Sequence, residues 1–224
     1  MPVWTCVTDV WQAVAAERAA LVADLEWLGV GAWRTPSLCD GLSVEEVVAH
    51  LTAGASSGPL RWLAGLARCR FDVDRMVDMR LREQLGTSPD ETLRRFRGVV
   101  DSRTAPSGHV DGWLGEIVVH GEDVRRPLGI DHAYAPAALE RVARFYAARD
   151  FTVPSKRRTA GLRLEAADGP FTVGKGPFVR GRTVDLVLAM AGRPVALEHL
   201  DGPGLSLFAA RVVDPSGRAP STAV

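Results

Sequence analysis

The chain has 224 residues, of which 46% are hydrophobic and 24% charged, a balance that is typical of a globular protein and excludes a disordered one. Its 27 basic residues cancel its 27 acidic residues, so it lacks the positive field on which non-specific binding to nucleic acid or to an anionic membrane relies. The sequence has three widely spaced cysteines, no apolar run near the ~18 residues of a membrane span and no secretory signal. Together these features predict a cytoplasmic protein.

The first half of the sequence predicts helices. Apolar residues at three- and four-residue spacing from Trp11 to Leu28 predict a first helix, with Arg18 as the one polar residue on that face. Ser43 followed by Glu46 forms a capping box, which predicts the start of a second helix. Further helix starts are predicted at Ser88, at Asp111 and after Pro136.

The pattern changes after about residue 150. A polar stretch with the basic residues 156–158 predicts a linker, and the alternation of apolar and polar residues that follows it predicts strands. The predicted strands cover 162–166, 171–173, 195–197 and 205–208, with a short helix over 184–188. We therefore predict a mainly helical domain at 1–150 and a small α+β domain at 151–224.

Two motif matches fail on their context. Residues 54–58 fit the string of a nucleophile elbow, but that motif needs a preceding strand and a capped helix precedes it here. Residues 169–176 are one residue short of a phosphate-binding loop, and no helix is predicted to begin after them. Neither segment is a candidate site.

The strongest chemical signal is an acid and a histidine four residues apart. On the helix predicted from Asp111, Glu116 and His120 lie on the apolar side, with Trp113, Ile117 and Val124 defining the buried stripe. A buried carboxylate without a partner is unfavourable, and two side chains at this spacing can converge on one divalent metal ion. The alternative is a hydrogen-bonded Glu–His pair that fills the core.

His50 is the candidate third ligand. It lies beside Val47 at the edge of the apolar face of the second helix, and metal sites in helical bundles are built from side chains of facing helices. The alternative is a histidine at the boundary of the core. The other histidines, His109, His132 and His199, lie in loop-like contexts and are predicted to be solvated.

Several of these segments resemble a known family. Residues 36–41, Ser43 and 47–51 resemble the second-helix signature of the mycothiol-dependent maleylpyruvate isomerase-like proteins, which belong to the DinB-like superfamily. Residues 116–129 are similar to the fourth-helix motif of that family, its most specific part. Residues 176–181 and 191–194 resemble its small second domain. Leu42 departs from the family pattern, which usually has tryptophan there.

The resemblance implies an up-up-down-down four-helix bundle followed by a sterol-carrier-like domain. It also implies one Zn²⁺, or another divalent metal, at His50, Glu116 and His120, with mycothiol, a thiol of high-GC Gram-positive bacteria, as cosubstrate. Three protein ligands leave an open position, which is typical of catalytic zinc. The implied reaction is isomerisation or S-transfer on a small electrophile. Arg193 is the candidate catalytic residue, as a clamp for a substrate carboxylate, or else a surface arginine beside a turn.

The same residues are compatible with two other functions. The same ligands suit a zinc-dependent hydrolase that uses water instead of a thiol. A non-catalytic protein that binds a metal or a small ligand is the second alternative. Thiol-dependent turnover separates the isomerase or transferase from both alternatives.

Overall fold

A computed structural model describes residues 9–213, and its contacts divide the chain into two units, the first ending at His132 and the second beginning at Ala133. The described helices of the first unit are α1 (Val10–Leu25), α2 (Val44–Ala55), α3 (Pro59–Arg68), α4 (Val73–Gln84), α5 (Pro89–Arg97) and α6 (Val110–Leu128). The helix α1 packs against α5 and α6, and α2 packs against α4, α5 and α6.

Two predicted helix starts have the predicted caps, at Ser43 and Ser88, whereas α6 begins at Val110 with His109 as its N-cap, so Asp111 lies in its first turn. The Ser43 hydroxyl accepts from the Glu46 amide at 3.3 Å, and the Glu46 carboxylate accepts from the Ser43 amide at 2.9 Å, so the predicted capping box forms. Asp9 caps α1 in a similar way. Helix α6 ends at Gly129, whose φ of 68° is a left-handed conformation that glycine adopts at low cost.

Arg18, the polar residue on the apolar face of α1, is buried and its charge has backbone partners. Its Nη1 donates to the carbonyls of Val99 at 3.2 Å and Ser102 at 2.8 Å. Burial lowers the pKa of Arg18, and the charge of Glu116 opposes that shift. Arg18 therefore joins α1 to the segment between α5 and α6.

Helices α3 and α4 were not predicted from the sequence. In α3 the one buried residue is Gly65, and in α4 the buried residues are Met76 and Leu81. Helices that bury so few side chains give little apolar periodicity, so the pattern does not distinguish them from loops.

The second unit consists of helices around a small mixed sheet. Its elements are α7 (Pro136–Ala148), α8 (Ser155–Arg158), β1 (Arg163–Ala166), β2 (Thr172–Gly174), β3 (Phe178–Gly181), α9 (Thr183–Met190), β4 (Leu200–Asp201) and α10 (Leu205–Val213). The strand order is β2-β1-β3-β4, with β1 antiparallel to β2 and parallel to β3. Leu164 pairs with Val173 on one side and with Val179 on the other.

Four expectations for this region differ from the structure. Residues 205–208 begin α10, and residues 195–197 belong to the 3-10 helix Pro194–His199. The predicted linker at 156–158 is the short helix α8, and β3 was not predicted. Short apolar runs fit a strand and a buried helix equally well, so their periodicity does not decide between the two.

The division between the units also differs from the predicted boundary at residue 150. Helix α7 packs against α9, so it belongs with the second unit. The predicted class, a mainly helical protein with a small C-terminal sheet, is confirmed. Among the helices at residues 9–213, none combines the length and apolar character of a membrane span.

Candidate metal centre

The packing of α2 against α6 brings the three predicted metal ligands together. His50 Nε2 lies 3.8 Å from Glu116 Oε1. The rings of His50 and His120 are 4.9 Å apart between centroids and tilted by 72°. The i, i+4 spacing places Glu116 and His120 on adjacent turns of α6, so the three side chains are neighbours, although their potential ligand atoms do not all lie within 4.8 Å of one another.

These side chains lie at the edge of the core. His50 is 25% exposed, Glu116 20% and His120 15%, whereas Ile117 and Val124 are buried as predicted. Trp113, predicted in the buried stripe, is half-buried, and its Nε1 donates to the Ser107 carbonyl at 3.0 Å. The apolar stripe anchors α6, and the ligand side chains stay partly open to solvent.

Gly54 on α2 leaves the space that Glu116 occupies. A Cβ atom at residue 54 would lie 2.9 Å from Glu116 Oε1. That distance is shorter than a normal contact, and the atom concerned is the end of a flexible side chain. A larger residue at this position would therefore displace the carboxylate and leave the helix intact.

We expect Gly54→Ala to weaken zinc binding by at least about tenfold while preserving the fold, because losing well-placed ligand geometry typically costs that much affinity. Alanine favours an α-helix over glycine by up to about 1 kcal/mol, so the metal-free protein should not lose stability. Chelator competition gives the zinc affinity, and thermal unfolding of the metal-free protein gives the stability. An unchanged zinc affinity in the variant would show that Glu116 does not need this space.

Electrostatics favour a cation beside Glu116. Burial raises the pKa of its carboxyl group, and the charges of His120 and Arg18 oppose that shift. Desolvation thus disfavours the charged carboxylate. A divalent ion next to the carboxylate would offset that cost.

Asp123 fixes the orientation of His120. His120 Nδ1 and Asp123 Oδ2 are 2.9 Å apart, and the Asp123 side chain is fully buried. A carboxylate that accepts from Nδ1–H leaves Nε2 as the nitrogen available to a metal. On the same helix, Arg126 Nε donates to Glu122 Oε2 at 2.8 Å.

A cysteine also approaches this site. The Leu38 amide donates to the Asp123 carbonyl at 3.1 Å, which brings the loop at 36–41 against α6. Cys39, His120 and Asp123 each have a potential ligand atom within 4.8 Å of the other two. Neither Cys39 nor Asp123 was predicted as a metal ligand. Cys39 lies in a loop, whose residues show no periodicity that places them near a helix. Asp123 lies three residues after His120 on α6, where helical spacing alone does not distinguish a ligand from a neighbour.

Part of the first unit is similar to a known family. Residues 14–111 match the sequence profile of the mycothiol maleylpyruvate isomerase N-terminal domain. The match runs from α1 to the first residues of α6. The matched segment includes His50 and ends before Glu116 and His120.

The likeness to solved structures covers most of the chain. The chain is similar to the crystal structure of the mycothiol-dependent maleylpyruvate isomerase, with a TM-score of 0.57, 14% identity and coverage of 87% of this chain and 91% of that one. A histidine-to-alanine mutant of that enzyme gives the same TM-score and coverage at 13% identity. These identities establish a shared fold. No curated protein sequence matches this chain significantly.

The other histidines and Arg193 lie outside this cluster. His109 and His199 are exposed, as predicted. His132 is not simply solvated, because its Nε2 lies 2.8 Å from an oxygen of the buried Glu17. Arg193 lies in the second unit, half-buried, where its Nη1 donates to the Ala191 carbonyl at 3.1 Å.

Proposed function

We propose that this chain is a cytoplasmic, zinc-dependent enzyme that activates a low-molecular-weight thiol, mycothiol, for isomerisation or S-transfer on a small electrophilic substrate. The observation behind the proposal is the proximity of His50 on α2 to Glu116 and His120 on α6. The family and the structural neighbours, which are named as mycothiol-dependent maleylpyruvate isomerases, support the thiol and the isomerase activity.

The chemistry of the three side chains suits Zn²⁺. Two imidazoles and one carboxylate are typical ligands of catalytic zinc, and three protein ligands leave one position open. The small residue Gly54 leaves room for the Glu116 side chain, whose carboxyl group, when ionised, would supply negative charge for the ion. When bound, the ion would supply a lowered thiol pKa, which favours the thiolate at neutral pH.

The chain's own residues would hold and orient the reactants. Asp123 keeps the Nδ1 proton of His120 in place, so the ring does not rotate away from the site. Arg18 holds a positive charge near Glu116 from the adjacent helix α1. Arg193 is the candidate donor to a substrate carboxylate, which suits a guanidinium because its parallel N–H groups match two carboxylate oxygens.

The decisive experiment measures turnover of the zinc-loaded full chain with and without mycothiol. Maleylpyruvate and related cis-alkene acids are the substrates to test, followed by simple alkylating electrophiles. Turnover that requires the thiol supports the proposal. Thiol-independent hydrolysis would replace it with the zinc hydrolase, and ligand binding without any turnover would favour the non-catalytic alternative.

We expect Arg193→Ala to lower kcat/KM for a carboxylate substrate by about tenfold to a hundredfold, the value of a charged hydrogen bond. Zinc content should stay unchanged, because the proposed ligands all lie in the first unit. Steady-state kinetics with metal analysis of the same samples test both statements. Arg193→Lys should recover part of the activity by retaining the charge, and unchanged kinetics in Arg193→Ala would remove this residue from the site.

A further inference from the structure

The loop that contains Cys39 is fixed against α6 by main-chain and side-chain hydrogen bonds. Besides the bond from Leu38 to Asp123, the Cys39 amide donates to Ser37 Oγ at 3.1 Å and the Cys39 carbonyl accepts from the Leu42 amide at 3.0 Å. The position of this cysteine next to Asp123 is therefore built by the fold. Cys39 is half-buried, so an ion in solution can reach it.

We propose that Cys39, His120 and Asp123 form a second set of metal ligands, suited to a thiophilic divalent cation, that shares His120 with the first set. One thiolate, one imidazole and one carboxylate supply two negative charges, which balance a divalent ion. Thiolate ligands select soft and borderline ions such as Cd²⁺ and Zn²⁺ over Mg²⁺ or Mn²⁺. This set contains the thiolate that the His50–Glu116–His120 set lacks.

The distances allow the three side chains to close on one ion. Their ligand atoms lie within 4.8 Å of one another, and ligands of a tetrahedral zinc ion are about 3.5 Å apart, given bond lengths of about 2.0–2.3 Å. Closing the set thus needs movements of about 1 Å, which a rotation of the Cys39 side chain can supply. The fully buried Asp123 would keep its position on α6.

A hydrogen bond joins two of the proposed ligands in the structure. His120 Nδ1 and Asp123 Oδ2, two of the proposed ligands, are 2.9 Å apart. Binding of a cation displaces the proton between them and the proton of the Cys39 thiol. One of these protons can move to His120 Nε2, and the other passes to solvent.

The shared histidine makes the two ligand sets mutually exclusive. A neutral imidazole has one N–H, so coordination through Nδ1 places that proton on Nε2, the nitrogen that the first set would use. The chain therefore binds one ion, and a thiophilic ion at Cys39 removes His120 from the first set. This consequence for activity rests on the proposed function, whereas the ligand set itself does not.

The test is a Cd²⁺ titration of the full chain in a Cys6→Ser background, followed by the ultraviolet charge-transfer absorption of a cadmium-bound thiolate. We expect this band to saturate at one Cd²⁺ per chain and to vanish in Cys39→Ser, with the dissociation constant raised by at least about tenfold because the ion loses its preferred ligand. His50→Ala should keep the band. Cys69→Ser is the matched control, since Cys69 is buried with its sulfur 3.9 Å from Met79 Sδ.

A second measurement needs no substitution at Cys39. Bound Cd²⁺ should protect Cys39 from iodoacetamide in the unmutated protein, as read by mass spectrometry of its peptide. Absence of a thiolate band at one equivalent, survival of the band in Cys39→Ser, or unprotected alkylation would overturn the proposal. Because the Cys39 set can also take Zn²⁺, loss of zinc binding on adding His50→Ala to the Cys39→Ser variant tests the first ligand set separately, so failure of one set is distinguishable from failure of the other.

Discussion

His120→Ala should abolish stoichiometric zinc binding, because His120 is central to the candidate site. Its ring packs edge-on to His50 and is oriented by the buried Asp123. Because an ion that binds only the folded protein adds to its stability, zinc at ~1,000 times its dissociation constant would stabilise the fold by about 4 kcal/mol. Chelation should therefore lower the melting temperature of the unmutated protein and leave that of His120→Ala unchanged. Metal analysis and thermal unfolding with and without chelator measure both effects.

Two variants make this result specific. Glu116→Gln should weaken zinc binding less than His120→Ala, because the amide keeps one oxygen ligand and loses only the charge. His109→Ala is the matched control, since His109 is an exposed histidine at the start of α6 and should keep full zinc content. Full zinc occupancy in a folded His120→Ala protein would contradict the site. A melting temperature that chelation does not change would instead favour a Glu–His pair that only fills the core.

Asp24→Ala should destabilise the fold by about 1–3 kcal/mol, because it removes the carboxylate that accepts from the buried Arg125 guanidinium, while Asp24 itself is 24% exposed. Arg125 is 1% exposed, and its Nε donates to Asp24 Oδ2 at 2.7 Å. Because this bond joins α1 to α6, its loss weakens the packing of the helix that holds Glu116 and His120. Urea unfolding of the metal-free protein measures the change in the free energy of unfolding.

The control is an ion pair of the same type on the surface. Asp78 and Arg82 are 2.9 Å apart on α4 and are 54% and 67% exposed, so Asp78→Ala should change stability little. The double variant Asp24→Ala/Arg125→Met should recover part of the lost stability, because it leaves no buried cation without its acid. Equal effects of Asp24→Ala and Asp78→Ala would show that burial does not determine the contribution of this pair.

The sequence by itself determined the features that depend on residues three or four positions apart along the chain. The capping box of Ser43 and Glu46 placed the start of α2, and the spacing of Glu116 and His120 put both on one side of α6. These predictions succeeded because capping and helical periodicity are local and act over three or four residues. The mainly helical class with a small C-terminal sheet followed from the same patterns.

Only the tertiary structure decided which residues meet across the chain. It showed α10 where a strand was predicted at 205–208, and it joined α7 to the second unit through α9. It also placed Cys39 beside His120 and Asp123 through a hydrogen bond from the neighbouring Leu38. Short apolar runs and loop residues have no period of their own, so their conformation and neighbours depend on the elements that pack against them.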